Sequence, residues 1–152
     1  MNKERNKNMK TEIMIGIGTV GSFVASFFGG WTESLTTLLI FMIIDYVTGL
    51  VVAGVFHKSK KTDSGALESR AGFKGLCKKG MILLFVLIGY RLDLINGAGT
   101  TYIRDGICIA FIANETISIV ENAGLMGIKI PSVLTNAIDV LKKKGEEHLE
   151  NK

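Results

Sequence analysis

The sequence predicts an all-α integral membrane protein, with about four transmembrane helices and a C-terminal amphipathic helix. Three observations carry that expectation. Hydrophobic residues make up 47 % of the chain against 21 % charged, and the mean hydropathy is +0.34. Long stretches carry no charge at all. The 18 Lys and Arg gather mostly in three clusters between those stretches. Such apolar content excludes an intrinsically disordered chain. One Pro and 18 Gly without a period exclude collagen, and two Cys exclude a disulfide framework. A net charge of +4 is met by a charge bias at membrane edges. Nucleic acid is not an expected partner, because a basic groove with interleaved aromatics is missing.

The elements follow in order. Residues 1–12 are a basic tail. Residues 13–31 are uncharged and end in Trp31, a residue suited to the membrane–water interface. At about 1.5 Å per residue they reach roughly 28 Å, close to the thickness of a bilayer core. A basic start before an apolar run also resembles a signal peptide, but the rest of the chain is equally apolar and offers no secreted domain. Residues 35–56 form the clearest span, with Asp45 as their one charge. Residues 57–79 read as a basic loop, residues 80–96 as a third span and 97–101 as a turn. Residues 102–123 read as a fourth helix with Arg104, Cys108, Glu115, Ser118 and Asn122 on one face. That helix spans a bilayer only with this face turned to protein or water, and otherwise lies in the interface. Residues 124–152 form a charged tail, in which Val133, Leu134, Ala137, Ile138 and Leu141 mark an amphipathic helix.

Charge sets the expected topology. With the N-terminus in the cytoplasm, 16 of the 18 basic residues lie on the cytoplasmic side of four spans. Both ends are then cytoplasmic and the positive-inside rule holds throughout.

Chemistry-bearing patterns are few. Gly16, Gly18 and Gly21 match G-x-G-x-x-G, but a dinucleotide site needs a strand and a βαβ frame that the following apolar span does not provide. The same region holds two small-residue ladders, Gly18, Ser22, Ser26, Gly30 and Gly21, Ala25, Gly29. They suit close helix approach, within the chain or between chains. Asp45 needs a partner or water in mid-span, and Gly49 and Ala53 make its helix face small. Arg91, Asp93, Arg104, Asn114 and Glu115 complete the polar groups of the spans. They either pair within the chain or line a lumen in an assembly. No residues point to catalysis, a metal or another cofactor. Cys77 and Cys108 read as small apolar residues, His57 and His148 as solvated side chains.

Three blocks resemble the toxin-secretion/phage-lysis holin family. The first is Asp45-Tyr46-Val47-Thr48-Gly49-Leu50 with Ala53-Gly54. The second is Ser69-x-x-Gly72-x-x-Gly75-Leu76-x-Lys78-Lys79, with Leu92-Asp93 further on. The third is Asn114-Glu115-Thr116 through Asn122, followed by Gly127 and Ile130-Pro131. They cover about residues 35–145 in family order; Arg91 and Arg104 lie outside the pattern. The resemblance implies a multi-pass protein of the host cytoplasmic membrane that self-associates and opens lesions. A cell-wall hydrolase, or in some clostridia a toxin, then passes through, without contact necessarily being made. A small transporter or channel subunit, with Asp45 and Arg91 or Arg104 as an ion site, is the alternative. A membrane-anchored interaction protein docking through residues 57–79 is a third.

Overall fold

The computed structural model describes residues 2–97 and 99–136. Four long helices make up the fold: α1 (Asn2–Phe27), α2 (Glu33–Val51), α3 (Ser69–Ile95) and α4 (Tyr102–Leu125). No strand occurs among the described residues. The all-α expectation stands. One helical stretch among them, Glu33–Phe56, is long and apolar enough to cross a bilayer by length and composition.

α4 is the centre of the bundle and packs against both α2 and α3, while α2 and α3 touch each other little. The apolar core is small: Leu35, Leu38 and Met42 of α2, Ile82 and Val86 of α3, and Cys108 of α4. Cys108 is a buried small apolar residue and Cys77 is exposed. The buried positions of α4 are Arg104, Cys108, Glu115 and Asn122. The polar face of this helix is therefore turned to protein. Ile109 on the opposite face is exposed. Apolar side chains point outward along every helix, among them Ile17, Phe23, Ile43, Val47, Leu84 and Ile88. Polar groups inside and apolar groups outside invert the pattern of a water-soluble bundle and suit a lipid solvent.

Local chemistry sets the helix ends. Thr32 caps α2, its Oγ1 accepting from the Leu35 N–H at 3.4 Å, and Glu33 sits in the first turn, where a carboxylate suits the helix dipole. α2 runs on as a π-helical turn, Val52–Phe56, that stops at His57 in the left-handed region (φ 53°). His57 is exposed.

Three sequence expectations are corrected here. The basic segment 57–79 is a loop only as far as Glu68, because α3 begins at Ser69 and carries the second family block on its first turns. Residues 2–12 are not a separate tail but the start of α1. α1 ends at Phe27, so Gly29 and Gly30 are not rungs of a helical ladder. Their φ angles of 84° and 86°, with the Gly30 N–H donating to the Ala25 carbonyl at 2.9 Å, make a left-handed helix stop. A Cβ at Gly29 would meet the Tyr90 ring at 2.5 Å and Arg104 Nη1 at 2.8 Å. Of the C-terminal amphipathic helix, residues 132–136 are helical. The remainder of that expectation, with Ala137, Ile138 and Leu141, lies outside the described residues.

α4 is capped from another helix. Thr101, in the N-cap position, makes no capping bond with its side chain. Asp93 of α3 supplies it instead. Its Oδ1 accepts from the Ile103 N–H at 3.0 Å and its Oδ2 from the Arg104 N–H at 2.9 Å. Two orphan donors of the helix are thus satisfied by one buried carboxylate. Asp93→Ala is expected to destabilise the bundle by about 1–3 kcal/mol, the range for losing a cap and leaving buried donors unmet. Thermal unfolding of the purified protein in detergent checks it; an unchanged midpoint contradicts the assignment.

Candidate functional site

The interior polar groups form two layers with the apolar core between them. The first joins the three family blocks. Lys79 Nζ lies 2.8 Å from Asp45 Oδ2 and 2.5 Å from Glu115 Oε2. Asn122 donates through Nδ2 to Asp45 Oδ1 at 3.1 Å and to Thr48 Oγ1 at 2.9 Å. Asp45 and Glu115 are buried, at 6 % and 3 % exposure. One ammonium thus serves two carboxylates, and an amide takes up the second oxygen of Asp45. Small residues permit the approach. A Cβ added at Gly49 would stand 3.8 Å from Asn122 Nδ2, in ordinary contact with the amide. Tyr46 lies over α3 where Gly72 and Gly75 leave room, its hydroxyl 3.6 Å from the Cβ position of Gly72.

The second layer lies at the other end of the bundle. Arg104 is fully buried and every arm of its guanidinium is used. Nη1 donates to the carbonyls of Phe28 at 2.8 Å and Gly29 at 3.4 Å. Nε and Nη2 donate to Asp105 Oδ1 at 3.2 and 3.0 Å. Asp105 also accepts from the hydroxyls of Ser34 at 2.5 Å and Thr101 at 2.7 Å. The Arg104 guanidinium lies 6.0 Å from the Tyr90 ring centroid, within cation–π range. Gly89 allows α3 and α4 to close here, since a Cβ on it would strike Ile107 Cδ1 at 2.6 Å. Among the described residues, no buried side-chain nitrogen or oxygen lacks a hydrogen-bond partner.

The sequence-expected polar residues divide accordingly. Asp45 and Glu115 meet in one layer, and Asp93 and Arg104 belong to the other. Arg91 and Asn114 are exposed on the single chain, because α3 and α4 present the neighbouring positions Asp93 and Glu115 to the interior. The expectation of burial for these two is corrected. Asp45 pairs with Lys79, not with Arg91 or Arg104. Of the second block, Gly72, Gly75 and Lys79 face inward, whereas Ser69, Leu76 and Lys78 are exposed. Along α1, Ala25 is buried but Gly18, Ser22 and Ser26 are exposed and Gly21 is half-buried. Nothing lies within 4 Å of a Cβ built on Gly18 or Gly21. Ala53 is buried within the π turn.

Sequence reasoning missed Asp105, Ser34 and Thr101 as partners of Arg104. The Thr101–Asp105 spacing was a usable signal, since residues four apart meet on a helix. Ser34, 71 positions away from Asp105, left no local trace.

The sequence matches a known group. A family model described as the bacteriophage holin family matches residues 22–143. An uncharacterised protein of Listeria monocytogenes is 37 % identical over 142 residues, 93 % of this chain and 95 % of its own length. An uncharacterised 14.9 kDa protein from the nagH 3′ region of Clostridium perfringens is 36 % identical over 138 residues, 91 % of this chain and 98 % of its own. A protein of Bacillus phage phi105 named probable holin is 31 % identical over 124 residues, 80 % of this chain and 83 % of its own. No solved structure matches. Asp45, Lys79, Glu115 and Asn122, drawn together from three separated blocks, all fall inside the matched residues, and by that match the chain belongs to the bacteriophage holin family.

Proposed function

We propose that this protein is a holin that accumulates in the host cytoplasmic membrane, self-associates and opens lesions through which a cell-wall hydrolase or a toxin leaves the cytoplasm. Family membership supports the holin role. The observation that carries the finer reading is the inverted bundle. Its buried residues include Asp45, Asp93, Arg104, Glu115 and Asn122, while large apolar side chains cover its outside. Such a chain is at ease in lipid and holds polar groups that water could reach once helices part.

The proposed topology has four spans with both ends in the cytoplasm. The basic residues favour it: the loop and first turns of α3 between Lys58 and Lys79 would be cytoplasmic, and the turn after Ile95 would be outside. α2 spans on its own hydropathy. α4 spans because its polar face is covered by α2 and α3, which removes the penalty of exposing Glu115 to lipid. α1 adds the surface for self-association. Its helix between Ile13 and Val24 has no buried residue, and the open space beside Gly18 and Gly21 permits a second helix to come close. The protein would work without a catalytic step.

Inducible expression beside a cytosolic cell-wall hydrolase tests this reading. The expected result is normal growth, then an abrupt loss of membrane potential, then lysis. Sustained growth at full potential with the protein present in the membrane would overturn it. A graded, ion-specific flux without hydrolase release would favour a channel instead.

A further inference from the structure

Two cavities adjoin at the seam between α2 and α3, the first of them also walled by α4. One, of about 480 Å³, lies where the 57–68 loop folds back over the ends of α2 and α3, and is lined by Lys60, Lys61, Lys74 and Lys78 among others. The other, of about 340 Å³, is an apolar groove between the same helices, lined by Leu39, Ile43, Val47 and Leu83. Tyr46 and Lys79 line both. The lysine-lined chamber and the apolar trough thus adjoin at two shared side chains.

The charged lining of the chamber is five lysines, Lys60, Lys61, Lys74, Lys78 and Lys79, against four carboxylates, Asp45, Glu68, Glu115 and Glu121, a net charge of +1. Asp45 and Glu115 hold Lys79, Glu68 accepts from the Ser64 hydroxyl at 3.2 Å and keeps its charge, and Glu121 has an interaction of its own. Lys60, Lys61, Lys74 and Lys78 form no ion pair among the described residues. Lys61 reaches back over α2, its Nζ 4.0 Å from the Cβ position of Gly49. Basic pockets between membrane helices on the cytoplasmic side suit anionic headgroups.

We propose that the α2–α3 seam binds a phospholipid with an anionic headgroup, the phosphate in the lysine-lined chamber and an acyl chain in the Leu39–Leu83 groove. The lysines of the chamber select the headgroup and the adjoining apolar groove selects a lipid over a free anion. The inference rests on the membrane placement proposed above, and not on lesion formation. It gives the lysines of the second family block a ligand. A bound lipid would also fill the space that α2 and α3 leave between them, so the three-helix packing around α4 would be completed by the host membrane.

The test uses the full chain, purified in detergent from the membrane fraction, equilibrated with equal phosphatidylglycerol and phosphatidylcholine, and analysed by native mass spectrometry. Retention of phosphatidylglycerol over phosphatidylcholine by about tenfold or more is expected, the scale of two or three lysine contacts to anionic lipid. Lys60→Gln, Lys61→Gln and Lys74→Gln together should bring the ratio close to one. Lys7→Gln, Lys10→Gln and Lys129→Gln together remove the same charge elsewhere and should leave it unchanged. Gly80→Leu should abolish retention of either lipid. Gly80 lines the groove and has open space at its Cβ position, so the new side chain fills the trough without meeting protein. Equal retention of the two lipids by the wild-type chain would overturn the proposal. So would equal effects of the two lysine sets, undiminished retention in Gly80→Leu, or release of the lipid by millimolar inorganic phosphate, which would mark a free-anion site. Absence of the chain from the membrane fraction would instead defeat the membrane placement itself, and this inference with it.

Discussion

Lys79→Met is expected to be among the most damaging single substitutions in the chain. It keeps an unbranched apolar stem, one atom shorter, and removes the one ammonium that stands between Asp45 and Glu115. Two buried carboxylates would then face each other with no counter-charge. Breaking a buried ion pair in this way costs about 3–5 kcal/mol, enough to lower the folded-to-unfolded ratio by roughly two to nearly four orders of magnitude. Thermal unfolding in detergent and the amount accumulated in membranes are the measurements. Asp45→Asn should be milder, because Lys79 keeps Glu115 and Asn122 keeps an amide partner; about 1–3 kcal/mol is expected for the altered hydrogen bonding. Lys79→Met combined with Asp45→Asn and Glu115→Gln should recover most of the loss, since neutral groups no longer need the ammonium. A single Lys79→Met variant that unfolds at the wild-type temperature would contradict the triad.

Arg104→Leu should be comparably severe at the other end of the bundle. The guanidinium is 0 % exposed and satisfies Asp105 and the carbonyls of Phe28 and Gly29 together. Leucine leaves both carbonyls unmet and leaves Asp105 with Ser34 and Thr101 but no counter-charge, at about 3–5 kcal/mol. Arg104→Lys keeps the charge but not the planar fork, and an intermediate loss of about 1–3 kcal/mol is expected. The two variants share a readout that a general loss of packing would not give. The Phe28–Gly30 segment loses its tie to α4, so limited proteolysis of the reconstituted protein should gain a cleavage there before the remainder of the bundle yields. Protection equal to wild type at that segment would show that Arg104 does not hold it.

The helices were legible in the sequence because uncharged runs and a 3.6-residue period are local properties. The polar face of α4 was legible for the same reason: Arg104, Cys108, Glu115 and Asn122 repeat on one side, and these are the residues that are buried. What lies opposite that face was not legible. Lys79 sits at the end of a run of lysines, and nothing local separates it from Lys78, which is exposed. Only the start of α3 at Ser69 fixes which of the two turns inward. Arg91 and Arg104 looked equivalent as lone basic residues in apolar context. Their fates differ because α4 is held on two sides and α3 presents Arg91 away from it. The end of α1 was misread because the ladder of small residues continues through Gly29 and Gly30, and glycine both packs in helices and ends them. The φ angle decides between the two, and sequence does not carry it.

The spacing of the two polar layers has an electrical consequence. Eleven residues of α4 separate Arg104 from Glu115, about 16 Å along the helix axis. A bilayer presents about 30 Å of hydrocarbon. If water follows the charged groups to each layer, the insulating septum inside the protein is the short apolar stretch around Leu38, Met42, Val86 and Cys108, about half as thick as the lipid beside it. The whole transmembrane voltage then falls across that septum, and the local field is roughly doubled for the same potential. An energised membrane would press hardest on the few apolar side chains that seal the bundle, and dielectric failure would begin there before it began in the lipid.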